Sequence, residues 1–323
     1  MYQVTEHALL LAAAVMFAFV NGANDGGSLL SFGLSVRTIT PLVGLLMLAA
    51  AVMISPILLG TAVATTLAIH LVGLDGDGGR SALLVGVLTT IAVTLQLTRR
   101  GLPTSLTLGL VGAMAGAGTG SGVPVSWGLV GVVLLAGAAA PFLGLAMGRG
   151  LTLLSGKLPT SRTVQGRVKR WHAAAFLLLC VAYGVNDGQK MLAVFAVAAS
   201  PMLGPIEIVP WQLVALTVPF LAGAVFGLGR FAETVGLGLL PMRPPEAVTT
   251  ELSAGVVVLA TGVAGMPVSM TQAASGALIG AAVSRGHGVI RWKAAARIVG
   301  AWAVTLPCSF IVAATAAFLL STL

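Results

Sequence analysis

The fold of this chain is decided by one short polar stretch, Asn21-Gly22-Ala23-Asn24-Asp25-Gly26-Gly27-Ser28. The stretch lies inside an apolar segment that runs from Leu9 to Leu34. A carboxylate within a membrane-length helix is costly unless it has a partner or lines a wet cavity. A second copy lies half a chain further on, Tyr183-Gly184-Val185-Asn186-Asp187-Gly188-Gln189-Lys190. The duplication indicates a doubled site at a repeat interface.

The composition places the chain in a membrane. Of its 323 residues, 57% are hydrophobic and only 8% are charged, against roughly a quarter charged in soluble domains. The net charge is +8, and the basic residues responsible for it lie in short loops between apolar runs. This pattern is typical of a membrane-orientation signal, and it argues against a nucleic-acid partner.

Ten apolar segments predict an all-α integral membrane protein with about ten transmembrane segments. They lie at roughly 8–34, 41–72, 82–98, 102–119, 126–148, 172–203, 209–229, 247–264, 268–284 and 298–321. A span needs about 20 residues, so the long segments are expected to be tilted or broken. The short ones, 102–119 and 268–284, are expected to be half-helices or re-entrant hairpins. A loop with an amphipathic piece is predicted at 230–246.

The basic residues predict the orientation in the cell membrane. With the N-terminus outside and all segments crossing, the inside loops hold every Lys and Arg except Arg80 and Lys190. The basic loop 149–170 is therefore expected to face the cytoplasm.

Two motifs predict that the chain is an inverted repeat. Asn24 and Asn186 are 186 − 24 = 162 residues apart, and Ser105 and Ser269 are 269 − 105 = 164 residues apart. The second pair belongs to the motifs Gly101-Leu102-Pro103-Thr104-Ser105-Leu106-Thr107 and Gly265-Met266-Pro267-Val268-Ser269-Met270-Thr271. Five segments in each half is an odd number, which inserts the halves in opposite senses. The first repeat would be 1–148 and the second 171–323.

The first motif has the chemistry of an ion site. Glycine permits an unwound backbone, and a helix restarting there would offer free N–H groups to an anion. Asn24 and Asp25, like Asn186 and Asp187, can cap that start or coordinate a cation such as sodium through oxygen. The alternative is a glycine kink with an aspartate satisfied by a neighbouring helix.

The second motif offers hydroxyl groups. Proline followed by Ser or Thr fits a first helical turn, and hydroxyls can hold a tetrahedral oxyanion without adding charge. The alternative is that these hydroxyls bond back onto their own helices. Lys190 follows Asp187 by three residues, so on a helix it would pair with that carboxylate or with an anion. Ser28 or Leu29 stands near the matching position, so the two half-sites differ.

The four motifs resemble the paired GAND and GxPxSxT signatures of the PiT inorganic phosphate transporters. The resemblance spans nearly the whole chain and implies secondary transport of phosphate, coupled to sodium or to protons, with no other cofactor. It implies that the matching Asn, Asp, Ser and Thr positions line the phosphate and cation sites. With their neighbours in the motifs, the predicted substrate-binding residues are Asn24, Asp25, Gly26, Ser28, Thr104, Ser105, Thr107, Asn186, Asp187, Gln189, Lys190, Ser269, Thr271 and Gln272. Lys190 is the sharpest departure from the family pattern, and Leu108 and Gln272 stand where a His is common.

Transport by alternating access is the mechanism that these features favour. Two aspartates and a bound anion repel one another, so cations must sit between them, which couples the two. Lys190 would supply one positive charge permanently, so the protein should depend less on sodium than its relatives. Transport of sulfate or a related oxyanion and a passive anion channel are the alternatives, and a homodimer is left open. No catalytic set or Walker-type loop indicates an enzyme.

Overall fold

A computed structural model describes residues 2–74, 76–100, 102, 104–156, 164–199, 205–231, 243–284, 286 and 290–322. Three predicted features lie partly outside these residues. They are Gly101 and Pro103 of the first hydroxyl motif, the middle of the basic loop at 157–163, and most of the loop at 230–246.

The described residues form an all-α fold, as predicted. Its helices are α1 (Tyr2–Asn21), α2 (Gly27–Leu34), α3 (Pro41–Leu59), α4 (Ala62–Thr65), α5 (Gly76–Arg99), α6 (Leu106–Gly120), α7 (Trp127–Gly156), α8 (Val164–Tyr183), α9 (Gln189–Ala199), α10 (Pro210–Phe231), α11 (Pro244–Val263), α12 (Met270–Val283) and α13 (Trp292–Ser321). Three π-helical turns lie between them, at Gly22–Gly26, Thr66–His70 and Gly184–Gly188. The described chain has no strand, only an isolated bridge between Val72 and Val125.

Eight helical stretches of the described chain are long and apolar enough to cross a membrane. The two remaining apolar helices, α6 and α12, have 15 and 14 residues. At 1.5 Å per residue they are too short to cross a hydrocarbon core of about 30 Å. The expected ten segments therefore become eight candidate spans and two shorter helices, which are the two that the sequence marked as short.

The long segment predicted at 41–72 is broken, as expected for its length. Helix α3 ends at Gly60, whose φ of 82° lies in the left-handed region that favours glycine. Helix α4 resumes at Ala62, and the π-helical turn Thr66–His70 follows it directly.

The predicted unwinding at the two Asn-Asp motifs is wrong. The chain passes through each motif as a π-helical turn in right-handed helical conformation, with Asn21 at φ −61° and ψ −45° and Tyr183 at φ −61° and ψ −47°. A π turn keeps backbone groups hydrogen-bonded, as the membrane interior requires, and adds one residue to the turn. The expected free N–H groups are therefore absent here: the Gly27 N–H donates to Gly22 O.

Each π turn at a motif packs against a helix from the other half of the chain. The turn at Gly22–Gly26 contacts α10, and the turn at Gly184–Gly188 contacts α3. Helix α6 likewise packs against α13, and α12 against α7. The contact between the turn at Gly22–Gly26 and α10 is close enough to require glycine, because a Cβ at Gly22 would lie 2.8 Å from the Phe220 carbonyl carbon.

The connection predicted at 149–170 is shorter than expected. Helix α7 continues to Gly156 and α8 begins at Val164. Helical turns therefore cover both ends of the basic stretch, and only 157–163 between them lies outside the described residues.

Candidate functional site

The two π turns place their Asn-Asp pairs in the protein interior. Asn24 and Asp25 are 4% and 3% exposed, and Asn186 and Asp187 are 0% exposed. Asn24 Nδ2 donates to Asp25 Oδ1 at 2.8 Å, and Asn186 Nδ2 donates to Asp187 Oδ2 at 3.1 Å. Each asparagine therefore supports the carboxylate beside it, in the same way in both halves.

The two hydroxyl motifs begin α6 and α12. Ser105 and Ser269 are the N-cap residues of these helices, where each side chain accepts from a backbone N–H three residues on. The donors are Leu108 at 3.2 Å and Gln272 at 3.4 Å. The hydroxyls stand at helix starts, as predicted, but Pro267 lies three residues before α12 and not in its first turn. The two caps satisfy one orphan N–H at each helix start.

Backbone carbonyls before the caps join the two motifs. Asn24 Nδ2 reaches Thr104 O at 3.5 Å, and Asn186 Nδ2 donates to Val268 O at 2.6 Å. Val268 N also donates to Asn186 Oδ1 at 3.2 Å. Thr104 and Val268 are matched positions, since 268 − 104 = 164. The same Asn-to-carbonyl contact therefore occurs in both halves, and it is tighter in the second.

Lys190 is buried and fully hydrogen-bonded. Its side chain is 1% exposed, and Nζ donates to Asp187 Oδ1 at 2.7 Å, Thr107 Oγ1 at 2.6 Å and Val268 O at 2.7 Å. The Thr107 hydroxyl in turn donates to Val268 O at 3.0 Å. The predicted pairing of Lys190 with Asp187 is thus present. Because Thr107 lies on α6 and Val268 precedes α12, Lys190 also connects the starts of both short helices.

Three ionisable groups share this buried region. Asp25 lies within electrostatic range of both Asp187 and Lys190. With all three ionised, the formal charge is −1, so the region favours one further cation or proton. An anion would enter only together with positive charge, because it would otherwise face an uncompensated carboxylate.

Tyr183 links the two π turns directly. Its hydroxyl donates to Asn21 Oδ1 at 2.8 Å, and its ring stacks on Phe220 with centroids 5.4 Å apart. Asn21 and Tyr183 are matched positions, each directly before its π turn, since 183 − 21 = 162. The motifs of the two halves therefore meet at equivalent residues.

Some predicted site residues serve other contacts. Gln189 Oε1 accepts from Val63 N at 2.8 Å and Ala64 N at 3.2 Å, and its Nε2 donates to Gly60 O at 2.7 Å. Its amide thus caps α4 and holds the break after α3. Gly26 packs against α10, where a Cβ would lie 3.1 Å from the Phe220 ring.

The other predicted residues lie around the carboxylates or beside them. Ser269 and Thr271 hydroxyls are 2.9 Å apart at the start of α12. Ser28 Oγ and Thr104 Oγ1 are buried and have no hydrogen-bond partner among the described residues. Gln272 lines an apolar groove of about 1180 Å³ between α7, α12 and α13, and its Oε1 has no hydrogen-bond partner among the described residues. The structure therefore does not join the Gln272 side chain to the carboxylates.

Sequence reasoning missed two participants in the site and one buried pair outside it. The Val268 carbonyl accepts from Asn186, Lys190 and Thr107, but a backbone acceptor carries no residue-type signal. Tyr183 lay within the quoted motif, and its position beside a polar break was the available signal. A separate buried pair, His172 with Glu251 at 3.2 Å, was not expected either.

The donor types define the cation that could bind. No group of three His, Cys, Asp or Glu side chains that could hold a metal occurs in the part of the chain described. The oxygen atoms of Asp25, Asn24 and Ser28 lie on one helical stretch, and carboxylate, amide and hydroxyl oxygens suit hard cations rather than transition metals.

Eight candidate spans around buried ionisable residues define a multi-pass membrane protein with an intramembrane polar site. The comparisons agree with this class. Residues 21–313 match the sequence profile of the "Phosphate transporter family". The chain therefore belongs to the phosphate transporter family, and it is a transporter rather than an enzyme.

Individual relatives cover most of the chain. A "Probable low-affinity inorganic phosphate transporter" of Mycobacterium tuberculosis is 30% identical over 95% of this chain and 75% of its own length. One of Rhizobium meliloti with the same description is 28% identical over 96% of this chain and 95% of its own length. A solved structure titled "The sodium-dependent phosphate transporter" superposes with a TM-score of 0.82, covering 99% of this chain and 100% of that one. At 18% identity, that likeness is one of fold.

Proposed function

We propose that the protein carries inorganic phosphate across the cell membrane by alternating access, together with Na⁺ or H⁺. The observation that carries this proposal is that buried polar groups of both motifs contact the starts of α6 and α12. Lys190 bonds to Asp187, Thr107 and the Val268 carbonyl, and Asn24, which holds Asp25, reaches the Thr104 carbonyl. The names of its relatives support phosphate as the substrate.

Phosphate would bind at the two helix starts. Each start carries backbone N–H groups that the helix itself does not satisfy, and these favour an anion. The hydroxyls of Thr104, Ser105, Ser269 and Thr271 lie at the same starts and can donate to phosphate oxygens. Lys190 contributes positive charge next to them.

The coupling cation would bind against the carboxylates. Two aspartates and one lysine leave a formal charge of −1, so a cation or proton must accompany the phosphate. The anion then binds well only when the cation is present, which is a reciprocal coupling between the two. Asn24 and Asp25 are the ligands that we propose, because Asp187 is engaged by Lys190 and Asn186 is engaged by Asp187 and Val268.

The architecture we propose is an inverted repeat of residues 1–148 and 171–323. The matched π turns and matched N-caps support a repeat, and α6 packs against α13 as α12 packs against α7. Opposite insertion needs a fifth crossing in each half, which α6 and α12 would complete together with the non-helical residues that precede them. The bridge between Val72 and Val125 supports this, because it brings the chain after α6 back beside the chain before α5. Alternating access would rock one repeat against the other around the shared site. The loop at 149–170 would face the cytoplasm, and two copies of the chain would form a homodimer, which cross-linking in membranes would test.

The test is uptake of labelled phosphate into proteoliposomes, with sodium and pH gradients imposed separately. Saturable uptake that one gradient drives uphill, and that unlabelled phosphate competes more strongly than sulfate, is expected. Stronger competition by sulfate would reassign the substrate. Flux without saturation or counterflow would indicate a channel and contradict the proposal.

A further inference from the structure

The ammonium group of Lys190 occupies a cage of three oxygen atoms. Its three N–H donors are matched by the Asp187 carboxylate, the Thr107 hydroxyl and the Val268 carbonyl at 2.6–2.7 Å. Carboxylate, hydroxyl and carbonyl oxygens are also the ligands that hard metal cations take. The lysine head group therefore stands where a free cation could stand.

The matched half-site has the same set of ligands without the lysine, two of them from the first half of the chain and the third, Thr271, from the second. The motif offset takes Asp187 to Asp25 and Lys190 to Ser28, since 187 − 25 = 162 and 190 − 28 = 162. The second offset takes the Val268 carbonyl to that of Thr104, and the Thr107 hydroxyl to that of Thr271, since 271 − 107 = 164.

The polar atoms of the two halves are satisfied to different degrees. In the first half, Asn24 Oδ1, Ser28 Oγ and Thr104 Oγ1 are buried without a hydrogen-bond partner among the described residues. These side chains are 4%, 2% and 1% exposed. In the second half, Asn186 Oδ1 accepts from Val268 N and Lys190 uses all three donors. Unsatisfied buried oxygens are costly, and a cation would satisfy them.

We propose that Lys190 is a built-in cation that fills the second half-site, so that only the first half-site takes an exchangeable one. Asn24, Asp25, Ser28 and Thr104 would bind that cation. The proposal rests on the cation-coupled transport proposed above, and it sets the number of ions: the carboxylate pair takes up one cation per cycle instead of two. A tethered ammonium is always at high local concentration, so sodium does not displace it.

The test replaces the lysine with the residue found at its matched position. Lys190→Ser gives the second half the Asn, Asp and Ser side chains of the first, with the Val268 carbonyl in place of that of Thr104. Lys190→Met keeps the volume but offers no oxygen. Lys169→Ser removes one positive charge at an exposed position and serves as the matched control. Thermal unfolding of each purified protein is followed while NaCl is titrated against choline chloride.

The midpoint of thermal unfolding is expected to rise with NaCl in Lys190→Ser by more than it rises in the wild type, in Lys190→Met and in the Lys169→Ser control. A Lys190→Ser protein whose midpoint responds to NaCl as the wild type does would overturn the proposal. This readout requires no transport, so it stands even if the wild type fails to carry phosphate, a failure that would count against the proposed function alone.

A second measurement uses the unchanged protein, so it decides the matter even if Lys190→Ser does not fold. The wild-type uptake rate, titrated with the driving cation, is expected to follow a Hill coefficient of about 1 for a single exchangeable site. Lys190→Ser is expected to be steeper, approaching about 2, with at least about a tenfold loss of uptake at low sodium. A wild-type Hill coefficient of about 2 would contradict a single exchangeable cation.

Discussion

Asp25 and Asp187 occupy matched positions but have different partners. Asp187 forms an ion pair with Lys190 at 2.7 Å, whereas Asp25 accepts from Asn24 and has no ion pair among the described residues. A buried charge depends strongly on its partner. Equal residues in the two halves are therefore expected to respond differently to the same substitution.

Asp187→Asn should lower stability much more than Asp25→Asn. The first change leaves the Lys190 ammonium buried beside a neutral amide, which costs about 3–5 kcal/mol. The second relieves repulsion between carboxylates and should change the free energy of unfolding by less than about 1 kcal/mol, yet it removes the proposed cation ligand and abolishes uptake. Thermal midpoints in detergent, with uptake measured on the same preparations, check this. Equal midpoints for the two variants would contradict it.

The site residues that the sequence identified are those whose chemistry lies in their side chains. Asn24, Asp25, Asn186, Asp187 and Lys190 were selected because charge and amide groups are unusual in apolar segments. The Val268 carbonyl could not be selected, since every residue carries one. The Gln189 contact with the chain break after α3 depends on tertiary packing, which no local pattern encodes.

At the scale of the helices, the sequence predicted which segments exist but not how the motifs are wound. The short segments 102–119 and 268–284 became α6 and α12 because their length limits them. The glycines of the motifs were expected to loosen the backbone. Instead they allow close contacts between helices, as at Gly22. The sequence could not predict the π turn, because the same residue types also form an ordinary α-helical turn.

Gly22→Ala should destabilise the crossing of the first π turn with α10. The added Cβ would lie 2.8 Å from the Phe220 carbonyl carbon and 2.9 Å from Ala224 N, and overpacking of this kind costs about 1–3 kcal/mol. Gly131→Ala is the matched control, because a Cβ there meets nothing within 4 Å. The thermal midpoint should fall for the first variant alone. A fall of the same size in both would show that helical glycines are sensitive for another reason.

Three elements meet at His172, away from the carboxylates. His172 on α8 contacts Glu251 on α11 at 3.2 Å, and its Nδ1 is hydrogen-bonded to Thr38 between α2 and α3. Both side chains are 0% exposed. This contact joins the two halves of the chain, because α2 and α3 belong to the first and α8 and α11 to the second.

Glu251→Met should loosen this junction. Methionine fills a similar volume but leaves His172 Nε2 facing an apolar group, at a cost of about 1–3 kcal/mol. Glu207→Met removes a carboxylate at an exposed position and should change stability by less than about 0.5 kcal/mol. Unfolding midpoints of the two variants check the difference. An unchanged midpoint for Glu251→Met would show that the pair contributes nothing net.

For the whole molecule, the offsets between motifs carried most of the prediction. They match α6 with α12 and one Asn-Asp motif, now seen as a π turn, with the other. The packing of each half against the other was not predictable. Repeated motifs show which residues of the two halves are equivalent, but they do not show which residues are in contact. The distribution of Lys and Arg predicts which side of the membrane each connection faces.

Thiol labelling should reveal that sidedness. Arg170→Cys and Glu207→Cys place exposed thiols near opposite ends of the span Val168–Ala199, in a background where the exposed Cys308 is replaced by Ser and the buried Cys180 is retained. A membrane-impermeant reagent added outside intact cells should modify the cysteine at 207 and spare the one at 170. Modification of 170 from outside would reverse the orientation.

The bond between Tyr183 and Asn21 bears on how such a chain can arise. A protein made of two identical halves would bring one residue type against itself at this point. Two tyrosines would force a second ring into space that now holds an amide, and two asparagines would leave a ring-sized void beside Phe220. Neither half could therefore be doubled to regenerate this molecule, and after any ancestral duplication these two positions had to diverge together.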